Sequence, residues 1–211
     1  MTNKSILPEG IYGITAEKYS LGRSNLEVVK AMIECGIKII QYREKENKTL
    51  GKKLEECLKI RELTRKNNII FIVNDHIDIA QLAGADGIHL GQNDIPLKEA
   101  KKIFKGIIGV STHSPDQARK AVEDGADYIG VGPIYSTNTK RNVCSAVGME
   151  YLEYVVAKIK IPFVAIGGIK EHNIKEVISR GAKTVALVTE ITQSKDIPEM
   201  VIKLQNHFHR V

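Results

Sequence analysis

The sequence predicts one catalytic domain, residues 1–211, folded as a (β/α)8 barrel, the TIM-barrel class of α/β proteins. Eight short apolar runs rich in β-branched residues recur along the chain, and amphipathic stretches separate them. Each run is followed by Gly, Asn, Asp or Thr instead of a two-residue hairpin turn, and no linker interrupts the alternation. An open doubly wound sheet shows the same alternation and is the alternative architecture.

The predicted strands are short and almost continuously apolar, as parallel strands buried on both faces usually are. In chain order they are IYGIT at 11–15, IKIIQYR at 37–43, IIFIVN at 69–74, GIHL at 87–90, IIGVS at 107–111, YIGV at 128–131, PFVAI at 162–166 and TVALV at 184–188. Because these runs have four to seven residues, they are too short for helices of ordinary length.

Amphipathic helices are predicted in the intervals between the strands. They cover 25–35, 50–66, 96–104, 115–123, 149–158, 172–180 and 197–205, and a further helix begins near His76. Ser114 before Pro115 and Asp94 before Pro96 are typical of helix N-termini. The segments LAGADGIHL, VEDGADYIGV and ISRGAKTVALV each pass from a helix end through Gly-Ala into a strand, which fits a barrel built from similar units.

Composition narrows the function classes. Lys and Arg exceed Asp and Glu by six, yet the basic residues are scattered and form no stripe interleaved with aromatic residues, so small phosphorylated substrates are favoured over nucleic acid. No apolar run approaches the ~20 residues of a membrane span, and the first residues lack an apolar signal core. We therefore expect a cytoplasmic protein that binds no membrane.

The three cysteines are far apart, which predicts reduced thiols and no disulfide framework.

In a (β/α)8 barrel, catalytic groups lie at the carboxyl ends of the strands, and polar residues follow the apolar strands of this chain repeatedly. Strand two ends in the residues 41–45, where the two-residue period puts Gln41, Arg43 and Lys45 on one face and Tyr42 and Glu44 on the other. One amide and two cations make an anion site. Surface charges at an ordinary loop explain Arg43 and Lys45 equally well.

Asp75 follows strand three and Asp94 follows strand four. Adjacent strands bring these ends together, so the two carboxylates could share Mg2+, which prefers oxygen ligands and substrate phosphates. The alternative is helix capping, by Asp94 ahead of Pro96 and by Asp75 ahead of the helix near His76.

Hydroxyl groups, glycines and a lysine follow the later strands and suit phosphate binding, although each is common in loops. They are Ser111, Thr137, Thr139, Lys140, Gly167, Gly168 and Thr189. His113 is the one histidine that is a functional candidate, although a hydrogen bond at the start of the next helix explains it equally well. His89 lies inside an apolar strand and is expected to line the barrel. No nucleophile has a paired base, so covalent catalysis is not indicated.

Taken together and in order, these motifs resemble the thiamine phosphate synthase family over nearly the whole chain. The motifs are QYREK at 41–45, ND at 74–75, GIHLGQND at 87–94, GVSTH at 109–113, GVGPIYSTNTK at 130–140 and AIGGI at 165–169. The resemblance implies a (β/α)8 barrel that joins hydroxymethylpyrimidine diphosphate to hydroxyethylthiazole phosphate with Mg2+. The products would be thiamine phosphate and pyrophosphate.

The resemblance also implies residue roles. Asp75 and Asp94 would bind Mg2+, and the implied catalytic residues are Arg43, Lys45, Lys140 and Ser111. Residues implied to hold the pyrimidine diphosphate are Gln41, Arg43, Lys45, Asn74, Ser111 and Lys140. Residues implied to hold the thiazole phosphate are Thr137, Thr139, Gly168, Val188 and Thr189. Tyr42, Glu44 and Asn138 lie within the same motifs and are included among the substrate-binding residues.

The implied mechanism is a dissociative substitution, in which pyrophosphate leaves before the thiazole nitrogen attacks. Such a step needs positioning and charge neutralisation more than a protein base. We expect replacement of Lys140 or Asp75 by Ala to lower turnover by orders of magnitude while the fold stays intact, as rate measurements on the folded variants would test.

One departure from the family pattern concerns the end of strand eight, where Thr189 and Glu190 replace the usual Ser-Ala. An inward carboxylate would repel the thiazole phosphate, whereas an outward one would not, and the sequence leaves both open. A thiazole tautomerase, a non-catalytic sensor of thiazole or thiamine phosphates, and another phosphate-handling barrel are the competing functions. The sequence is compatible with a homo-oligomer.

Overall fold

The chain forms a closed barrel of eight parallel strands in the computed structural model, which describes residues 6–45, 48–137 and 145–208. The strands are β1 Gly10–Ile14, β2 Ile39–Tyr42, β3 Ile70–Asn74, β4 Gly87–Leu90, β5 Ile107–Thr112, β6 Tyr128–Val131, β7 Phe163–Ile166 and β8 Thr184–Leu187. Each strand pairs with the next, and β1 closes the barrel on β8 with Gly13 opposite Leu187. The (β/α)8 prediction is confirmed and the open sheet is wrong.

Helices surround the barrel. They are α1 Asn25–Glu34, α2 Leu50–Lys66, α3 Ile77–Ala83, α4 Leu97–Ile103, α5 Pro115–Glu123, α6 Gly148–Lys158, α7 Ile174–Ser179, α8 Thr189–Thr192 and α9 Ile197–Gln205, with a 3-10 turn at Glu17–Tyr19. The short helix α8 was not predicted, because four residues are too few for a periodic apolar pattern. No helix within the described ranges has the length and apolarity of a bilayer-spanning segment.

Local hydrogen bonds explain two of the boundaries that were predicted wrongly. Strand two was predicted to continue through Arg43, but the Arg43 amide donates to Thr15 Oγ1 at 2.9 Å, so β2 ends at Tyr42. The helix predicted from 172 begins at Ile174, because Asn173 Oδ1 accepts from the Lys170 amide and holds a turn there.

Side-chain caps define several helix starts, as the sequence predicts for Ser114, whose hydroxyl accepts from the Gln117 amide. The capping alternative is wrong for both acidic residues. Asp94 Oδ2 accepts from the Gly91 amide at 2.6 Å, inside the loop after β4, and Pro96 occupies the N-cap position of α4. His76 occupies that position in α3, with no side-chain cap bond. Neither carboxylate caps a helix, so both can take part in a site at the rim of the barrel.

Apolar side chains fill two layers. The larger lies between strands and helices, and the smaller fills the barrel interior with residues from alternate strand positions, such as Ile39, Ile72 and Val164. Gly109 makes room in the interior, since a Cβ there would fall 2.1 Å from the Tyr128 ring. Cys57 is buried and Cys35 half-buried, both as free thiols, and Cys144 lies outside the described residues.

Candidate active site

The carboxyl ends of β2, β3 and β4 bring three charged side chains together. Lys45 Nζ forms an ion pair with Asp75 Oδ2, and the Asp75 and Asp94 carboxyl groups lie within hydrogen-bonding reach of each other. Asp75 has a φ of +61°, a conformation that non-glycine residues rarely adopt outside functional or tightly constrained sites. The predicted proximity of Asp75 and Asp94 is therefore present in the structure.

The two carboxylates repel each other in the free protein. Partial burial, followed by the contact with Asp75, raises the pKa of Asp94 above its usual range, while the Gly91 amide and Lys45 act in the opposite direction. A divalent cation between the carboxylates would relieve this repulsion. The oxygen donors suit Mg2+, which takes few protein ligands and completes its shell with water and phosphate.

Replacing Asp94 with Asn is expected to raise the melting temperature of the metal-free protein by about 1–3 °C. A carboxyl whose folded pKa is raised destabilises the fold at pH values above that pKa, and the neutral amide removes this loss while its oxygen still accepts from the Gly91 amide. Thermal unfolding at pH 7 in EDTA measures the effect. The gain should vanish as the pH falls and Asp94 becomes protonated, and a destabilised variant at pH 7 would contradict the argument.

The residues at the carboxyl end of β2 and just beyond it face in two directions, as the two-residue period predicts. Gln41 is buried in the barrel interior, while Arg43 lies just beyond the strand. Tyr42 and Glu44 face the helices instead: the Tyr42 hydroxyl donates to Glu56 Oε2 at 2.7 Å, and Glu44 accepts from Asn25 Nδ2 at 3.1 Å. The structure therefore does not bring the Tyr42 and Glu44 side chains into the rim cluster with Lys45 and Asp75. Their inclusion among the substrate-binding residues stays a prediction.

A chain of hydrogen bonds crosses the interior beneath this rim. Gln41 Nε2 donates to Tyr12 Oη at 2.9 Å, Tyr12 and Tyr128 share a bond of 3.1 Å, and His89 bridges Tyr128 at 3.0 Å to Ser111 Oγ at 2.9 Å. Burial raises the pKa of both tyrosines, so their hydroxyls stay protonated. If each group in this series donates its hydrogen bond in the direction from Gln41 to Ser111, every donor in the series has an acceptor.

The Tyr128→Phe variant is expected to lower the free energy of unfolding by about 2 kcal/mol, since it leaves Tyr12 and His89 without a shared partner in the interior. Urea unfolding at equilibrium measures the loss. Tyr154→Phe is the matched control, because its hydroxyl accepts from Arg119 at an exposed position, and it should change stability by less than ~0.5 kcal/mol. Equal stabilities for the two variants would show that the buried chain is not structural.

A cavity of about 570 Å3 opens at the carboxyl ends of β5 to β8. Among the predicted residues, those in its lining are Ser111, Thr137, Gly167, Gly168, Val188 and Thr189. His113 also lines it, with its Nδ1 hydrogen-bonded to the Gly132 carbonyl at 2.5 Å. Asn74 ends β3 opposite His89, on the other side of the rim. Asn138, Thr139 and Lys140 lie outside the described residues.

The Gly-Gly pair after β7 permits a close approach of two loops. Gly167 and Gly168 have φ values of +100° and +65°, and a Cβ on Gly168 would lie 2.6 Å from the Ser136 carbonyl oxygen. The Tyr135 amide donates to the Gly167 carbonyl at 2.9 Å. An ordinary turn would not require glycine at both positions, so the pair shapes the cavity wall.

Sequence reasoning missed several lining residues. Tyr19, Pro133, Lys170 and Gln193 line the cavity. Two of them carried a signal: Pro133 lies within the motif at 130–140, and Lys170 directly follows Gly-Gly-Ile. Tyr12 and Tyr128 were also missed as members of the polar chain. A hydroxyl inside an apolar strand needs a buried partner, and this requirement could have identified both residues.

Glu190 lines the cavity with its carboxylate fully engaged. Its Oε2 lies 3.0 Å from Lys170 Nζ and its Oε1 accepts from the Glu171 amide at 2.8 Å. The carboxylate is therefore neutralised at the wall, which neither the inward nor the outward orientation considered from sequence anticipated.

Comparison with known proteins gives consistent matches. The family model described as thiamine monophosphate synthase matches residues 11–191. A thiamine-phosphate synthase of Pelotomaculum thermopropionicum is 62% identical over 202 residues, covering 95% of this chain and 92% of that protein. The enzyme of the same name from Caldicellulosiruptor saccharolyticus is 59% identical over 196 residues, and the match covers 92% of this chain and 88% of that enzyme.

A solved structure agrees with these matches. The thiamine phosphate pyrophosphorylase from Pyrococcus furiosus superimposes with a TM-score of 0.87 at 32% sequence identity, covering 95% of each chain. More distant barrels, such as a native KDPGal structure at 15% identity and a TM-score of 0.68, share the fold.

Proposed function

Because this chain belongs to the thiamine monophosphate synthase family, we propose that it joins hydroxymethylpyrimidine diphosphate to hydroxyethylthiazole phosphate, forming thiamine phosphate and pyrophosphate. The chain is a transferase, as its relatives are. The substrates and the Mg2+ requirement are our proposal.

One observation carries this proposal: a charged cluster and a cavity of about 570 Å3, large enough for a small phosphorylated molecule, share one rim of the barrel. Lys45, Asp75 and Asp94 lie at the ends of β2 to β4, and the cavity lies at the ends of β5 to β8. Ser111 joins the two halves, since it lines the cavity and its carbonyl accepts from Gln92 in the loop after β4. Two phosphorylated substrates could thus bind side by side.

The donor set at β3 and β4 fits Mg2+. The Asp75 and Asp94 carboxylates would hold the ion. Partial burial, followed by the contact with Asp75, raises the pKa of Asp94, and a cation between the two carboxylates would remove their repulsion. When bound, Mg2+ would neutralise charge on the diphosphate as it leaves. Lys45, already paired with Asp75, would add a second positive charge at the same place.

The proposed reaction breaks the bond between the pyrimidine methylene carbon and the diphosphate oxygen, which departs with the electron pair. The thiazole nitrogen then donates its lone pair to the methylene cation and forms the new carbon–nitrogen bond. Arg43 and Lys45 would hold the diphosphate, while Gln41 and Ser111, joined through the interior chain, would hold the pyrimidine. Asn74 and Lys140 are proposed to assist them.

The thiazole half would occupy the cavity. Thr137 and Thr189 would donate hydroxyl hydrogen bonds to its phosphate, and the backbone at Gly168 and Val188 would complete the contact. Thr139 would contribute in the same way. Nothing in this reaction requires a protein base, which agrees with the lack of a paired nucleophile in the sequence.

The test is pyrophosphate release by the purified protein with both substrates, in Mg2+ and in EDTA, with thiamine phosphate followed by chromatography. We expect equal amounts of the two products in Mg2+ and neither in EDTA. Each substrate is also omitted in turn as a control. Pyrophosphate without thiamine phosphate, or no product from folded protein supplied with both substrates, would overturn the proposal and favour a tautomerase or a sensor.

A further inference from the structure

Lys170 and Glu190 form a charged pair on the cavity wall, and neither belongs to the motifs that carry the family resemblance. Lys170 Nζ lies 3.0 Å from Glu190 Oε2 and donates to Thr189 Oγ1 at 3.2 Å. The ammonium group is thus held between a carboxylate and a hydroxyl that both line the same cavity.

The backbone beneath this pair is held in place by one side chain. Asn173 Oδ1 accepts from the Lys170 amide at 2.7 Å, and Asn173 Nδ2 donates to the Gly168 carbonyl at 3.2 Å. Asn173 therefore fixes the start of the Lys170 side chain relative to Gly168, where the loops approach closely. The hydrogen bonds of Asn173 therefore fix the position of the Lys170 backbone at the cavity wall.

Charge and hydrogen-bond capacity indicate what this pair can do. Glu190 alone would repel an anion in the cavity, but both of its oxygens are engaged, by Lys170 and by the Glu171 amide. An ammonium group has three N–H donors, and within the described part of the chain two of those on Lys170 have partners. The third donor can bind a ligand that carries acceptor oxygens.

We propose that Lys170 is a substrate-binding residue that contacts the phosphate of the monophosphate ester in the cavity, and that Glu190 positions it. This inference rests on the proposed function, since it assigns a contact to the thiazole phosphate. The pair makes the wall selective for a phosphorylated alcohol over the free alcohol, because only the phosphate supplies the acceptor oxygens and the charge that the ammonium group binds.

The experiment compares Lys170→Met, Glu190→Gln and the double variant with wild type. Lys183→Met is the matched control, because Lys183 also pairs with a carboxylate at 3.0 Å, on Glu9, and lies next to the amino end of β8 at the opposite end of the barrel. Titration calorimetry with inorganic phosphate and with hydroxyethylthiazole phosphate gives affinities, and steady-state rates give a separate KM for each substrate.

We expect Lys170→Met to weaken binding of both phosphate ligands by about tenfold or more and to raise KM for the thiazole phosphate alone. Glu190→Gln should stay within ~threefold of wild type, since its one amide oxygen still accepts from Lys170. Its NH2 group replaces the oxygen that accepts from the Glu171 amide, so that backbone contact is lost while the contact to Lys170 remains. The double variant should bind at least ~threefold more tightly than Lys170→Met, because no unpaired carboxylate remains. Lys183→Met should match wild type.

The proposal is overturned if Lys170→Met binds both ligands like Lys183→Met, or if it raises KM for the two substrates equally. It is also overturned if the double variant is no better than Lys170→Met. Calorimetry separates this inference from the proposed function: a protein without turnover whose phosphate affinity still depends on Lys170 refutes the function alone. Normal turnover in Lys170→Met with unchanged affinity refutes this inference alone.

Discussion

Replacing Asp75 with Asn is expected to lower kcat by about a thousandfold while the barrel remains folded. The substitution removes one of the two carboxylates proposed to hold Mg2+, and it leaves Lys45 without its ion-pair partner. The diphosphate would then leave without the full charge neutralisation that the substitution step requires. Weakened metal binding should also raise the Mg2+ concentration needed for half-maximal rate.

Asn is a better test than Ala at this position for a backbone reason. Asp75 has a φ of +61°, which Asn adopts more readily than other residues with a side chain, whereas Ala would add a strain of about 1 kcal/mol. The Asn variant thus removes the negative charge of Asp75 without the backbone strain that Ala would add to the loop. Rates over a series of Mg2+ concentrations, with circular dichroism as the check on folding, measure the effect.

Asp116→Asn is the control for loss of a carboxylate. Asp116 is 87% exposed and pairs with Arg119 on the first turn of α5, away from the rim cluster. We expect its kcat to match wild type. If Asp75→Asn kept more than about a tenth of the wild-type rate at saturating Mg2+, the carboxylate pair would not be the metal site.

Replacing Gly168 with Ala is expected to destabilise the protein by about 3 kcal/mol and to raise KM for the thiazole phosphate at least ~tenfold. A Cβ at this position would lie 2.6 Å from the Ser136 carbonyl oxygen and 2.7 Å from Tyr135 Cβ. One of the two loops must then move, and both line the cavity. Urea unfolding and steady-state kinetics measure the two effects.

Gly84→Ala isolates the backbone contribution to this loss. Gly84 has a φ of +63°, close to that of Gly168, but a Cβ there would meet no atom within 4 Å. It should cost about 1 kcal/mol and leave both KM values unchanged. Equal stability losses in the two alanine variants would mean that the loops accommodate the methyl group without the clash.

Local patterns in the sequence were sufficient for much of the fold. The ranges of β4, β6, α2, α5 and α9 agree with the predicted ones, because apolar periodicity and capping residues such as Ser114 are properties of neighbouring positions. The proximity of Asp75 and Asp94 was also predictable, since consecutive strands of a parallel barrel end side by side.

The sequence by itself determined the barrel, its family, the rim on which polar residues gather and the proximity of Asp75 and Asp94. Only the tertiary structure decided which of the other polar residues contact one another. Glu190 could not be oriented from sequence, because its partner Lys170 comes from the loop after β7, which the barrel brings alongside β8. The chain from Gln41 to Ser111 likewise joins residues of five strands through the barrel interior. Contacts of this kind depend on closure of the sheet, which no local pattern encodes.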